Sequence, residues 1–194
     1  MAKQTDTSEV CKGFKILIDG QPYNVLERTH NKPGKGRATT VLRTKNLLTG
    51  AVIERTFTSG AKLDLADTEE KQMRLSYVDT TSTEAVFMDE KTYETLNIHF
   101  DTVGETKDWL LDDRIYKVLF FNGNAIAVEA PTFMEMEIIQ SDPGAKGNTA
   151  QGNVKKPATL ESGAVIQVPI FVEQGESIIV DTRTGTFESR AKTK

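Results

Sequence analysis

The chain has 194 residues, 38% hydrophobic and 27% charged, with a net charge of −4. Its single cysteine, Cys11, excludes an internal disulfide and fits a reducing compartment. The first ten residues are polar and carry no apolar signal core, and no run approaches the ~20 apolar residues of a membrane span, so a cytoplasmic protein is expected.

Charge is unevenly spread. Residues 1–65 carry 11 basic and 6 acidic side chains, residues 66–129 carry 6 and 14, and residues 130–194 carry 7 and 8. The net charges are therefore +5, −8 and −1. A basic end suits RNA phosphate. An acidic middle is repelled by it and suits solvent, protein or a basic patch. Acidic surface also serves solubility alone.

The first expected strand runs from Phe14 through Ile16 to Ile18, on alternation. Asp19-Gly20 signals a tight hairpin. The return strand is expected over Tyr23 to Leu26, with Pro22 limiting pairing at its start. Extended runs at Gln21 to Arg28 and Ala38 to Asn46 then flank Lys32-Pro33-Gly34-Lys35-Gly36, which reads as a hairpin with a long loop. Thr49-Gly50 turns the chain into a strand over Val52 to Thr58. This unit ends near Leu63 to Asp67, and its short strands predict an SH3-like barrel. Cys11 is read as a small apolar filler near the first strand.

Strands are next expected at Met73 to Asp79 and Ala85 to Met88. Asp89 reads as the N-cap of a short helix, with Glu90 in its first turn and Tyr93 and Leu96 on one face. A further helical turn is expected over Glu105 to Leu111, with Trp109 in the core. Ile115 to Phe121 and Ala125 to Val128 flank a second hairpin signal, Asn122-Gly123. A five-stranded barrel of OB type fits.

Ala130-Pro131 marks a boundary. Met134, Met136 and Ile138 alternate with Glu135 and Glu137 in a strand. Ser141 to Lys156 reads as a loop. Ala164 to Val172, Ile178 to Val180 and Thr186 to Ser189 supply the strands of a third barrel. With no helix long enough for a βαβ crossover, the expected class is all-β, in domains 1–65, 66–129 and 130–194.

The stretch 32–37 carries the most chemistry. Pro33 fixes its own φ and extends Lys32. Gly34 and Gly36 allow backbone angles closed to other residues. Lys35 thus protrudes between two glycines, with Lys32 and Arg37 beside it and no acid in the loop. Such a lysine suits a crevice lined by phosphates, and a solvated basic turn is the plain alternative. The stretch is not a nucleotide-binding P-loop, because Arg37 follows Gly36 where Lys-Ser/Thr is needed. An enzyme finds little support. His30 and His99 are the only histidines, and neither Gly-x-Ser-x-Gly nor His-Glu-x-x-His occurs. Asp112-Asp113 and Glu69-Glu70 read as solvated surface. A general OB-fold RNA binder is weakened by the acidic or neutral charge of the later units and by aromatics placed mostly in strand cores.

Lys32-Pro33-Gly34-Lys35-Gly36 resembles the tip of the bacterial elongation factor P family. The third unit carries a second match: Lys156-Pro-Ala158, then Gly163, Ile166, Val168-Pro169, Val172 and Gly175, which follows the family signature position by position. Asp181-Thr-Arg-Thr-Gly185 with Phe187 and Arg190 is similar to the family's C-terminal hairpin. Asp142-Pro-Gly144, Tyr77 and Phe87-Met88 also fall where the family has similar residues.

The resemblance implies three β-barrels in an L, SH3-like then two OB-folds. It implies a monomeric factor that binds both ribosomal subunits and rRNA between the peptidyl and exit sites. There it holds peptidyl-tRNA and relieves stalling at consecutive prolines. It implies no catalytic residue, no metal and no dissociable cofactor in the factor itself. Lys35 is the tip residue that reaches the peptidyl-transferase centre, and an enzyme extends it covalently, for example by β-lysylation. Gly147-Asn148-Thr149 stands where the family has Gly-Asp-Thr near messenger RNA, so a carboxylate is exchanged for an amide. His30-Asn31 and Thr39-Thr40 replace apolar or aromatic residues around the tip. Arg183 and Arg190 are further candidate RNA contacts. A specialised paralogue is the nearest alternative.

Overall fold

A computed structural model of the protein describes residues 3–32, 34, 36–141 and 155–191. The chain divides into two compact units, Met1–Lys71 with Leu119–Ala127, and Gln72–Val118 with Val128–Lys194.

In the first unit the strands are β1 (Gln4–Asp6), β2 (Lys15–Ile18), β3 (Gln21–Asn31), β4 (Thr39–Asn46), β5 (Val52–Thr58) and β6 (Lys62–Asp64). Strands β2 to β5 form an antiparallel sheet in sequence order, and β1 pairs with β6. Asp19 and Gly20 both adopt positive φ, 53° and 78°. That is the turn geometry that matches strand twist, so β2 and β3 pair directly from Ile18 to Gln21. Alternation turns Ile16, Ile18, Val25 and Leu42 inward, where Val10 and Leu63 join them. Pro22 does not limit pairing. It sits opposite Leu17, and its carbonyl accepts the Leu47 N–H at 2.9 Å. Proline lacks only the donor, so β3 runs to eleven residues. Cys11 is exposed, not a core filler. Val10 next to it is fully buried instead.

The next strands are β7 (Thr68–Asp79), β8 (Glu84–Asp89), β9 (Thr95–His99), β10 (Ile115–Phe121) and β11 (Asn124–Glu129), in sheet order β11-β10-β7-β8-β9. The helix expected after Asp89 is absent. Asp89 Oδ1 accepts the N–H groups of Lys91 at 2.8 Å and Thr92 at 3.4 Å, and the Asp89 N–H donates to Glu94 O at 3.0 Å. An aspartate that bonds backbone two residues on closes a turn as readily as it caps a helix. Here it closes the β8–β9 hairpin, and Leu96 belongs to β9. Helix begins later, as one α turn, α1 (Phe100–Val103), continued by a 3-10 helix over Gly104–Trp109. Trp109 is half-buried.

The third set is β12 (Phe133–Ser141), β13 (Lys155–Leu160), β14 (Val165–Pro169), β15 (Ser177–Asp181) and β16 (Thr186–Arg190), in order β14-β13-β12-β15-β16. Contacts between β14 and β16 bring the two ends of this sheet together. Met134, Met136 and Ile138 are buried and Glu135 and Glu137 exposed, as alternation requires. The expected loop to Lys156 ends sooner, because Lys155 and Lys156 already lie in β13. Its remainder, 142–154, lies outside the described residues. The architecture is all-β with barrel-like sheets, as expected.

Candidate functional site

The hairpin β3–β4 builds the basic end. Its last pair is Asn31 opposite Thr39, so residues 32–38 form the connecting loop. Every β3 residue from Glu27 to Asn31 is exposed, while Thr40 and Leu42 opposite them in β4 are buried. Polar contacts steady it further. Arg28 donates to the carbonyl of Ser8 and, at 3.5 Å, to that of Thr7. Thr7 is itself fully buried and tied into the unit, its hydroxyl accepting the Gly60 N–H at 2.9 Å. A register shift between Val25 and Glu27 marks a bulge at the root of the extension, which bends and twists the strand locally.

Within the loop, Lys32, Gly34, Gly36 and Arg37 are exposed. Gly36 has φ 121°, a conformation that disfavours any side chain. Gly34 has open space around it, with no heavy atom within 4 Å of a Cβ built there. Lys35 and Pro33 lie outside the described residues. His30 lies in β3 rather than in the loop, with Nδ1 3.4 Å from the hydroxyl of buried Thr40. From Arg28 to Ile53 the sequence has six basic residues and no acid. Beyond Glu27, therefore, no carboxylate of this hairpin repels a polyanion.

The other expected contacts are placed differently. Gly147, Asn148 and Thr149 lie outside the described residues. Arg183 folds back on Asp181, with Nη2 2.6 Å from Oδ2 and Nε 3.1 Å from Oδ1. That guanidinium holds the Asp181 carboxyl below its usual range. Arg190 lies 4.9 Å over the Phe171 ring, donates to the Phe171 carbonyl at 2.5 Å and pairs with Glu176 at 3.0 Å. Both guanidiniums are thus already engaged by partners within the third set of strands. Sequence reading missed the Arg28 brace, which no local motif signals. It also misplaced the aromatics: Tyr77, Tyr93, Phe133 and Phe171 are each more than half exposed. Among the described residues no cluster of His, Cys, Asp and Glu is arranged to hold a metal ion, and no helix is long and apolar enough to cross a membrane.

Comparison with known proteins covers nearly the whole chain. Residues 6–63 match the family model for the elongation factor P (EF-P) KOW-like domain. Residues 68–128 match that for the elongation factor P OB domain, and residues 134–190 that for elongation factor P, C-terminal. The chain is 54% identical over 187 residues to "Elongation factor P 2" of Protochlamydia amoebophila, covering 96% of this chain and 97% of that one. It is 49% identical over the same length to "Elongation factor P 2" of Chlamydia trachomatis, with the same coverage. Among solved structures it resembles the eukaryotic translation initiation factor 5A from Methanococcus jannaschii. The TM-score is 0.52 at 19% identity, over 66% of this chain and 96% of that one, a likeness of fold.

Proposed function

Since this chain belongs to the elongation factor P family, and so is a translation elongation factor, we propose that it binds the ribosome between the peptidyl and exit sites and relieves stalling at consecutive prolines. The observation that carries the reading is the acid-free, basic span from Arg28 onward, exposed along β3 and ending in a loop that holds Gly36 at φ 121°. Lys35 is the residue that acts. Its ammonium pairs with phosphate or hydroxyl groups at the acceptor end of peptidyl-tRNA. Lys32 and Arg37 hold backbone phosphate, a positioning role. Gly34 lets the loop approach RNA closely.

The chemistry belongs to the ribosome. Proline is a poor acceptor and donor because its ring restricts the approach geometry. Holding the peptidyl-tRNA end in an attacking arrangement lowers the entropic part of the barrier. A covalent extension of Lys35 by a modifying enzyme, such as β-lysylation, lengthens the reach. Gly147-Asn148-Thr149 lies toward messenger RNA. Arg183 and Arg190, already engaged within the barrel, contribute less to RNA binding than the tip. The protein works as a monomer in the cytoplasm, in domains 1–65, 66–129 and 130–194.

The test is synthesis of a Pro-Pro-Pro reporter in a reconstituted translation system. The arms are no factor, protein from its native cells, and Lys35→Ala. Rescue by the native protein that is lost in the variant supports the reading, and rescue by the variant overturns it. The relatives carry the name "Elongation factor P 2", and a specialised paralogue is the second reading. Ribosome binding without rescue in either form would select it.

A further inference from the structure

The outer face of β7, β8 and β9 carries an exposed aromatic on an otherwise acidic surface. The register sets Tyr77, Val86 and Asn97 in one row and Asp79, Glu84 and His99 in the next. The row between them, with Ala85 and Ile98, is buried. Tyr77 is 55% exposed, while Val86, its cross-strand partner, is 5% exposed. β8 and β9 are the second and third strands of the OB domain, and that face is the one OB-folds use for ligands.

We infer that this face docks a basic, extended polypeptide segment, an interaction independent of the tip. Two carboxylates of the next row, Glu84 and Asp79, are already held in place. Glu84 accepts from Asn97 Nδ2 at 3.0 Å, and Asp79 accepts the N–H groups of Thr81 at 2.8 Å and Ser82 at 3.2 Å. The facing cation, Arg74, is already bound to Glu90. Such a field repels phosphate and attracts lysine and arginine, in keeping with the −8 charge of residues 66–129. A half-exposed tyrosine beside a buried valine is the side-chain type that anchors interface centres. The two rows are two residues apart along β7, about 7 Å. An extended peptide repeats its side chains at the same interval. One apolar side chain therefore meets Tyr77 while a basic one, two residues on, meets Asp79 and Glu84.

The experiment titrates the full-length, isotope-labelled protein with a peptide that repeats Leu-Gly-Arg-Gly three times, and follows backbone amide NMR shifts. The controls are the same peptide with Glu in place of Arg, and a single-stranded RNA of twelve nucleotides. Shifts concentrated on β7 to β9 are expected with the basic peptide and not with either control. Tyr77→Ala should weaken binding about tenfold, and Glu84→Gln should weaken it and flatten its salt dependence. Tyr77→Lys, at the same exposed position, is a second variant that should abolish binding while the remaining spectrum stays native. Absence of binding, shifts scattered over the acidic surface and insensitive to Tyr77, or RNA binding to this face would each overturn the proposal.

Discussion

Trp109 lies against Gly185: a Cβ on that glycine would stand 3.6 Å from the indole ring. That is ordinary contact, so space alone does not require glycine. The backbone does, because Gly185 has φ 63°. The carbonyl of Asp181 accepts the Gly185 N–H at 2.9 Å and fixes the β15–β16 turn in that shape. Gly185→Ala should therefore cost about 1–2 kcal/mol, and Gly185→Asn less, since asparagine tolerates this region. Urea unfolding, followed by the fluorescence of the single tryptophan, reads both.

The two tip glycines should separate by mechanism. Gly36→Ala meets an unfavourable φ, whereas Gly34→Ala enters open space without one. Gly36→Ala should lower proline-stall rescue by distorting the loop. Gly34→Ala should leave thermal stability within ~0.5 kcal/mol. Any loss of rescue in Gly34→Ala then measures how closely RNA approaches that backbone.

Tyr116 is 1% exposed and its hydroxyl is fully used: it donates to Trp109 O at 2.8 Å and accepts the Leu111 N–H at 2.7 Å. Tyr116→Phe leaves both backbone groups unpartnered and should cost about 1–3 kcal/mol. Burial also pushes its pKa from 10.0 up to about 12. A raised folded pKa gives stability that is complete below the unfolded value and is lost as pH rises through the folded one. Absorbance titration should show Tyr116 ionising later than an ordinary phenol, and stability should decline between pH 10 and about 12.

At the acid end the sign reverses. Asp181 is held below its ordinary 3.8 first by the hydrogen bond from Arg183, and Asp79 by bonds from Ser82 and Thr81. A depressed folded pKa gives stability that is present above the unfolded value and lost as pH falls through the folded one. Stability should therefore drop below about pH 3.8. Asp181→Asn should flatten that drop, as should Arg183→Ala. Equilibrium unfolding at a series of acid pH values checks both.

Turns were the most legible feature of the sequence. Asp19-Gly20 and Asn122-Gly123 supply positive φ at both central positions, and residues with that freedom are few. Alternation located Met134, Met136 and Ile138 for the same local reason. Asp89 misled because its carboxylate serves a hairpin turn and a helix cap with the same hydrogen bonds. Strand β13 was hidden by Pro157. The described pairing with β12 ends at Ser141 opposite Ala158, and Pro157 pairs with Gln167 of β14. At the tip, the sequence revealed glycines and charge. The Arg28 brace joins residues twenty positions apart, and no local pattern encodes such a pair. The exposed aromatics were misjudged because composition does not say which face of a strand is covered.

The bulge at Val25 and Glu27 turns the hairpin into a lever. About six residues separate it from the loop, roughly 20 Å of strand. A tilt of about 10° at that pivot therefore swings the tip by about 3–4 Å, more than the length of a hydrogen bond. Direction of the hairpin end is thus an angular problem solved at the root, where the bulge sets it and Arg28 acts as a stay against the N-terminal segment. Substitutions there should misdirect the tip without touching it, and a longer side chain at the end of the lever would amplify the same error.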